Sequence, residues 1–150
     1  MPDNKIKTAL REATISSMKE GKKEVTTTLR MFSSEIKKEE IDNKKDLNEE
    51  EVISIVQKLI KQRKDSFKQF KDAGRDELAE KEAREIKILE DFLPEQMTED
   101  EINSEVKKTI SDLNAESMQD MGKVMGALKE KLSSKADMGL VSSIVKDTLS

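Results

Sequence analysis

The chain has 150 residues, with 28 basic and 32 acidic side chains, a formal net charge of −4 and only 3% aromatic residues. It contains no Cys, His, Trp or Tyr, which excludes disulfides, thiolate or imidazole metal sites, Cys or His nucleophiles and His-based acid–base catalysis from this chain alone. Although 40% of residues are charged, the two signs are interleaved and nearly balanced, the pattern of solvated faces on amphipathic helices rather than of a self-repelling disordered chain.

In chain order, Ile6, Leu10, Ala13 and Ser17/Met18 recur every three or four residues and predict a first helix from Asp3, with Gly21 in the left-handed position after its end. Val25, Thr28/Leu29, Phe32 and Ile36 continue the period in a second helix to about Ile41, followed by an aperiodic loop over 42–46. Asn48 before Glu49, Glu50 and Glu51 is an N-cap followed by carboxylates at the positive end of a helix dipole. Val52, Val56, Leu59, Phe67 and Phe70 then define a long third helix up to Gly74. A fourth helix, capped by Asp76, carries Leu78/Ala79, Ala83, Ile86, Leu89 and Leu93, and Pro94 stops it because the residue before proline avoids helical geometry.

Beyond Pro94, Thr98-Glu99-Asp100-Glu101 is a capping box that opens a helix with Ile102, Val106, Ile110 and Leu113 on one side. Ser117 caps a further helix bearing Met121, Val124/Met125, Leu128 and Leu132, and Leu140/Val141, Ile144/Val145 and Leu149 mark a last short one. No segment alternates as a strand should. The expectation is an all-α protein: a bundle of about four helices over residues 1–94, then a small three-helix unit over 95–150. With neither a signal-peptide core at the N-terminus nor an apolar run long enough for a membrane span, the expected setting is cytoplasmic, without membrane contact.

Few constellations carry chemistry. Gly122-Lys123-Val124-Met125-Gly126 lacks the spacing and the preceding strand of a phosphate loop. Two glycines on one helical face each cost about 1 kcal/mol relative to Ala, and either close helix packing or backbone access for a ligand such as RNA would account for them. Of the carboxylate clusters Glu39/Glu40, Glu49 to Glu51 and Asp100/Glu101, which could ligate Mg²⁺ or act as acid and base, the last two sit at helix starts, where the dipole explains them; the structural reading is taken for all three, and no metal ligands and no cofactor are assigned. Arg63 falls on an apolar stripe, where a lone charge is costly, and the expected partner is Glu82 on the fourth helix.

Charge is unevenly placed. Residues 1–94 hold 21 basic and 21 acidic side chains, whereas 95–120 hold two basic (Lys107, Lys108) against eight acidic. From Lys123 to Lys146 the sign reverses: Lys123, Lys129, Lys131, Lys135 and Lys146 face only Glu130 and Asp137, a local net of +3. Lysines supply the sequence-independent part of nucleic-acid affinity. With no aromatic side chains for stacking on bases, a folded RNA held by its backbone suits this patch better than a single strand.

The motifs together resemble the YqeY family. Leu29-Arg30, Ile36-Lys37, Glu40-Ile41-Asp42, Lys61-Gln62-Arg63-Lys64-Asp65-Ser66, Ala73-Gly74-Arg75 and Leu93-Pro94-Glu95-Gln96 stand in that family's order. Ser117-Met118, Asp120-Met121-Gly122-Lys123-Val124-Met125, Lys135-Ala136-Asp137 and Leu140-Val141-Ser142 resemble its C-terminal signature. The family pattern has Gly directly after the Asp of Lys-Ala-Asp, where this chain has Met138-Gly139. The same C-terminal part is similar to the tail of GatB, a subunit of the tRNA-dependent amidotransferase.

The resemblance implies a helical bundle joined to a GatB-tail-like three-helix domain that holds tRNA. It implies Gly122, Lys123, Lys129, Lys131 and Lys135 as contacts, with Arg30, Arg63 and Arg75 organising the bundle. Tolerable partners are then tRNA and an amidotransferase or other translation-related protein. At the family level the description is carbon–nitrogen ligase with glutamine as amido-N-donor, and this chain shows no amidase nucleophile set. The leading expectation is therefore a tRNA-binding or tRNA-amidotransferase-associated accessory protein without its own catalytic centre, the alternatives being such a ligase or a protein-interaction adaptor.

Overall fold

A computed structural model describes residues 4–150, so the expected helix start at Asp3 lies outside the described residues. The fold is all-α: α1 (Lys5–Lys19), α2 (Lys23–Asn43), α3 (Glu49–Asp72), α4 (Asp76–Glu90), α5 (Glu99–Asp112), α6 (Met121–Leu132) and α7 (Met138–Leu149), with a 3₁₀ turn over Met118–Asp120. The chain divides into two compact units, Met1–Leu93 and Pro94–Ser150.

Local chemistry fixes the helix ends. Asn4 starts α1 by accepting the backbone N–H groups of Ile6 and Lys7, and Gly21 leaves it at φ +71°. Helix α2 runs two residues past Ile41 and ends at Lys44 in the left-handed conformation (φ 53°), so the loop is shorter than the sequence pattern suggested. Asn48 and Glu51 form a full capping box on α3, and Thr98 and Glu101 form another on α5, each satisfying backbone donors that the first turn leaves free. The N-cap of α4 is Arg75 rather than Asp76, which becomes the first helical residue.

In the first unit α3 and α4 form a helical hairpin around the Gly74 turn (φ +72°), and α1 and α2 pack on it. Ile6, Leu10, Leu29, Phe32, Ile36, Val52, Val56, Leu59 and Leu89 make one buried cluster. Phe32 is fully buried and meets Phe92 edge to face, ring centroids 5.5 Å apart. That contact explains why α4 stops at Glu90, short of Pro94: Phe92 and Leu93 close turns onto the carbonyls of Leu89 and Glu90, and Phe92 swings inward.

In the second unit α5, α6 and α7 each touch the other two. Their core is Ile102 and Val106 from α5, Val124, Leu128 and Leu132 from α6, and Val141, Ile144, Val145 and Leu149 from α7, with Ala136 between the last two helices. Burying each of these aliphatic side chains is worth roughly 1.5–3 kcal/mol, which is how 57 residues without a disulfide hold together. The segment entering the unit is tied down at once, because Met97 N–H donates to the Lys135 carbonyl (2.8 Å) and Gln96 Nε2 donates to the Ser134 carbonyl (3.1 Å).

Candidate nucleic-acid interface

Helix α6 carries most of the residues expected at a nucleic-acid contact. Its packed side is the row Val124, Leu128 and Leu132, buried against α5 and α7. At 100° per residue the opposite side carries Gly122, Gly126 and Lys129 in one row, with Lys123 and Glu130 beside them, and all five are exposed. A Cβ placed on Gly122 or on Gly126 meets no atom within 4 Å. Close helix packing within the C-terminal unit therefore does not account for the two glycines, which leave a strip of helix backbone uncovered by α5 and α7.

The five sequence-derived contacts do not form one cluster. Gly122, Lys123 and Lys129 share the open side of α6. Lys131 lies seven residues after Val124 and three after Leu128, which puts it on the flank of the packed side although its side chain remains exposed. Lys135 follows the helix, in the turn to α7, where its N–H donates to Leu132 and its carbonyl accepts from Met97. The backbone there is fixed while the ammonium stays in solvent. None of Lys123, Lys129, Lys131 and Lys135 has a carboxylate within 4 Å among the described residues.

The flanking turns are held by side chains. Asp120 accepts from Glu116 N–H (2.9 Å), and this bond, with a smaller contribution from the charge of Lys123, holds its carboxyl below the usual range despite some loss of solvation. Asp120 thus stays ionised and pins the entry to α6, a role that sequence spacing did not indicate. Asp137 caps α7 by accepting from Gly139 N–H (2.9 Å). A Cβ on Gly139 would approach the Asp137 carboxylate to 3.3 Å, so the glycine suits this cap.

The expected Arg63–Glu82 pair is corrected by the structure. Arg63 Nε donates to Glu85 Oε2 at 3.0 Å, with both side chains about 15% exposed. The same guanidinium donates to the Leu59 carbonyl (3.1 Å) and contacts Met31 Sδ (3.6 Å). Glu82 stands one turn earlier and forms no hydrogen bond with Arg63 among the described residues, although it feels the charge of Arg63. Arg30 is exposed and contacts Met18 Sδ (3.4 Å), and Arg75 is exposed at the start of α4, so Arg63 alone of the three is built into the packing. Among the described residues no group of three or more acidic side chains could hold a metal ion, and no helix is long and apolar enough to cross a membrane.

The fold and this surface define a class: an all-α protein whose small C-terminal unit offers a lysine-flanked, open helix face. The chain belongs to the YqeY family, whose profile, described as Yqey-like protein, matches residues 7–149. It is 46% identical over 91 residues to the altered inheritance of mitochondria protein 41, mitochondrial, of Kluyveromyces lactis, covering 58% of this chain and 49% of that one. It is 38% identical over 90 residues to an uncharacterized protein of Schizosaccharomyces pombe, covering 60% of this chain and 73% of that one. A protein of Pyrenophora tritici-repentis with the same name as the Kluyveromyces one is 27% identical over 151 residues, covering 99% of this chain and 83% of that one. The chain thus spans about half the length of the Kluyveromyces relative that it matches.

Proposed function

We propose that this protein is a tRNA-binding accessory factor that holds the backbone of folded tRNA through its C-terminal unit and serves a tRNA-dependent amidotransferase or a related translation enzyme. The observation that carries the reading is the open strip at Gly122 and Gly126. Two glycines in a helix weaken it, and here no neighbouring atom exploits their lack of a side chain. A phosphate backbone is a ligand that can approach such a strip closely, and Lys123 and Lys129 border it with unpaired ammonium groups.

The similarity of the C-terminal motifs to the GatB tail supports tRNA as the RNA and the amidotransferase as the enzyme served. No exposed aromatic lies on this face, so contact through shape and phosphates is favoured over base stacking. The setting is a tRNA-containing compartment, proposed as the cytoplasm; the mitochondrial designation belongs to the names of the fungal relatives.

The test is fluorescence anisotropy of labelled total tRNA against the whole protein over a salt series. If Lys146 joins Lys123, Lys129, Lys131 and Lys135 in neutralising phosphates, the five contribute about 3 to 4 to the downward slope of log affinity against log salt. Lys123→Gln and Lys129→Gln together weaken binding and flatten the slope. Salt-independent binding, or equal affinity for an unstructured RNA of the same length, overturns the reading.

A further inference from the structure

The outer side of α3 carries a second basic surface, far along the chain from the tail. Lys61, Lys64, Lys68 and Lys71 follow one another at three, four and three residues and are all exposed. On an α-helix they fall within an arc of about 80° and span about 15 Å. An adjoining side of the same segment carries the half-buried Arg63, Phe67 and Phe70, and Arg63 bonds from it to Glu85 of the hairpin partner α4.

Ordinary solvated helix faces offset such a row with carboxylates one turn away. Asp65 and Asp72 do stand four residues after Lys61 and Lys68, yet neither pair closes to within 4 Å. Lys71 is engaged, by Asp76 at 3.5 Å and by the ring of Phe67 at 5.9 Å from its centroid. Lys61, Lys64 and Lys68 have no ion pair among the described residues. Like charges at this spacing repel one another and weaken the helix slightly, so Lys61, Lys64 and Lys68 are not explained by ion pairing within their own unit.

We propose that this α3 row is a second phosphate-binding surface for folded RNA, through which the N-terminal unit engages the same tRNA class as the tail. The inference rests on the reading above for the identity of the ligand and on the α3 row for the site. A regularly charged polyanion matches three unpaired ammonium groups in line. A membrane surface would call for large apolar side chains beside the lysines, and none of the exposed large hydrophobic residues lies on α3. Exposed aromatics are missing from the row as well, so the contact is to phosphates rather than to bases.

The experiment compares the whole protein with three triple variants in salt-dependent binding to labelled total tRNA. Lys61→Gln/Lys64→Gln/Lys68→Gln keeps side-chain length and helix propensity and flattens the slope of log affinity against log salt by about 2. Lys19→Gln/Lys38→Gln/Lys87→Gln removes the same charge from other exposed positions and leaves the slope unchanged. Lys123→Gln/Lys129→Gln/Lys135→Gln reports on the tail separately. An unchanged slope in the α3 variant alongside a flattened one in the tail variant overturns the α3 surface and spares the tail. The reverse pattern overturns the tail reading and supports α3. Equal loss in the α3 and control variants reduces the effect to net charge and overturns the inference. So does preferential binding of the wild-type protein to phosphatidylserine vesicles that is lost in the α3 variant while tRNA affinity is retained. Far-UV circular dichroism and thermal melts confirm that each variant is folded.

Discussion

Arg63 and Glu85 join α3 to α4 through a 3.0 Å charge-assisted hydrogen bond, and Glu82 lies one turn away without a share in it. Burial raises the Glu82 carboxyl above its ordinary value of 4.5, the nearby Glu85 charge adds to the rise, and the Arg63 charge only partly opposes it. The two carboxylates on one helix face therefore have opposite consequences for stability.

Glu85→Ala is expected to destabilise the N-terminal unit by about 1–3 kcal/mol, because it strands a half-buried guanidinium without its anion. Glu82→Gln is expected to be neutral or stabilising at pH 7. A carboxyl with a raised folded-state pKa binds more protons when folded, so stability declines as pH rises from the unfolded value through the folded one. The glutamine variant loses that decline. Urea denaturation between pH 4 and 8 checks both, and a larger loss from Glu82→Gln than from Glu85→Ala would restore Glu82 as the partner of Arg63.

Glu40 shows the reverse linkage. Its carboxylate accepts from Lys7 Nζ and from Leu47 N–H (2.9 Å), which together hold it below its ordinary value against the cost of burial, the lysine contributing most. The stability it supplies is complete above the unfolded pKa and is lost as pH falls through the lower folded one. Glu40→Gln is expected to cost about 1 kcal/mol at neutral pH, for a pair that solvent still partly reaches, with the difference from wild type vanishing in acid. A pH-independent difference would assign the loss to packing instead.

Gly126→Ala separates folding from binding. A methyl group there meets nothing and removes backbone freedom from the unfolded chain, so the C-terminal unit gains about 0.5–1 kcal/mol. The same methyl obstructs the open strip, and affinity for tRNA falls. Thermal melts and anisotropy on one preparation measure both, and unchanged affinity would remove Gly126 from the interface.

Thr109 is 2% exposed, and its hydroxyl has no hydrogen-bond partner among the described residues. Thr109→Val keeps the shape and removes a desolvated polar group, so it raises the denaturation midpoint, with a gain of about 1 kcal/mol. Destabilisation would reveal a buried water bonded to the hydroxyl.

Much of the fold was legible because its determinants are local. Thr98 with Glu101, Asn48 before three glutamates and Gly21 after α1 act within a turn of their own positions, and each sits where its chemistry requires. The choice between Glu82 and Glu85 was not local. Both lie on the face of α4 that meets α3, and the geometry of the Gly74 turn decides which one reaches Arg63. The end of α4 is equally non-local, since Phe92 lies beyond the helix and meets Phe32, sixty residues earlier in the chain.

At the candidate interface, the spacing of Gly122, Gly126 and Lys129 showed that they share a side of α6. It could not show whether that side was covered, which depends on where α5 and α7 lie. The α3 lysines were equally periodic in the sequence. The balanced total over residues 1–94 averages this basic row with acidic stretches elsewhere, and which of its lysines lack an ion pair among the described residues depends on side-chain geometry.

The bond from Met97 N–H to the Lys135 carbonyl bears on the order of events during synthesis. Every core residue of the first unit precedes Pro94, so that unit can assemble while later residues are still being added. The second unit cannot: its entry segment waits for Lys135, and its core waits for Leu149. In native-state hydrogen exchange the Met97 amide, which belongs to no helix, becomes a marker for completion of the C-terminal unit, and it should exchange with the protection of that unit's core rather than at the rate of a loop.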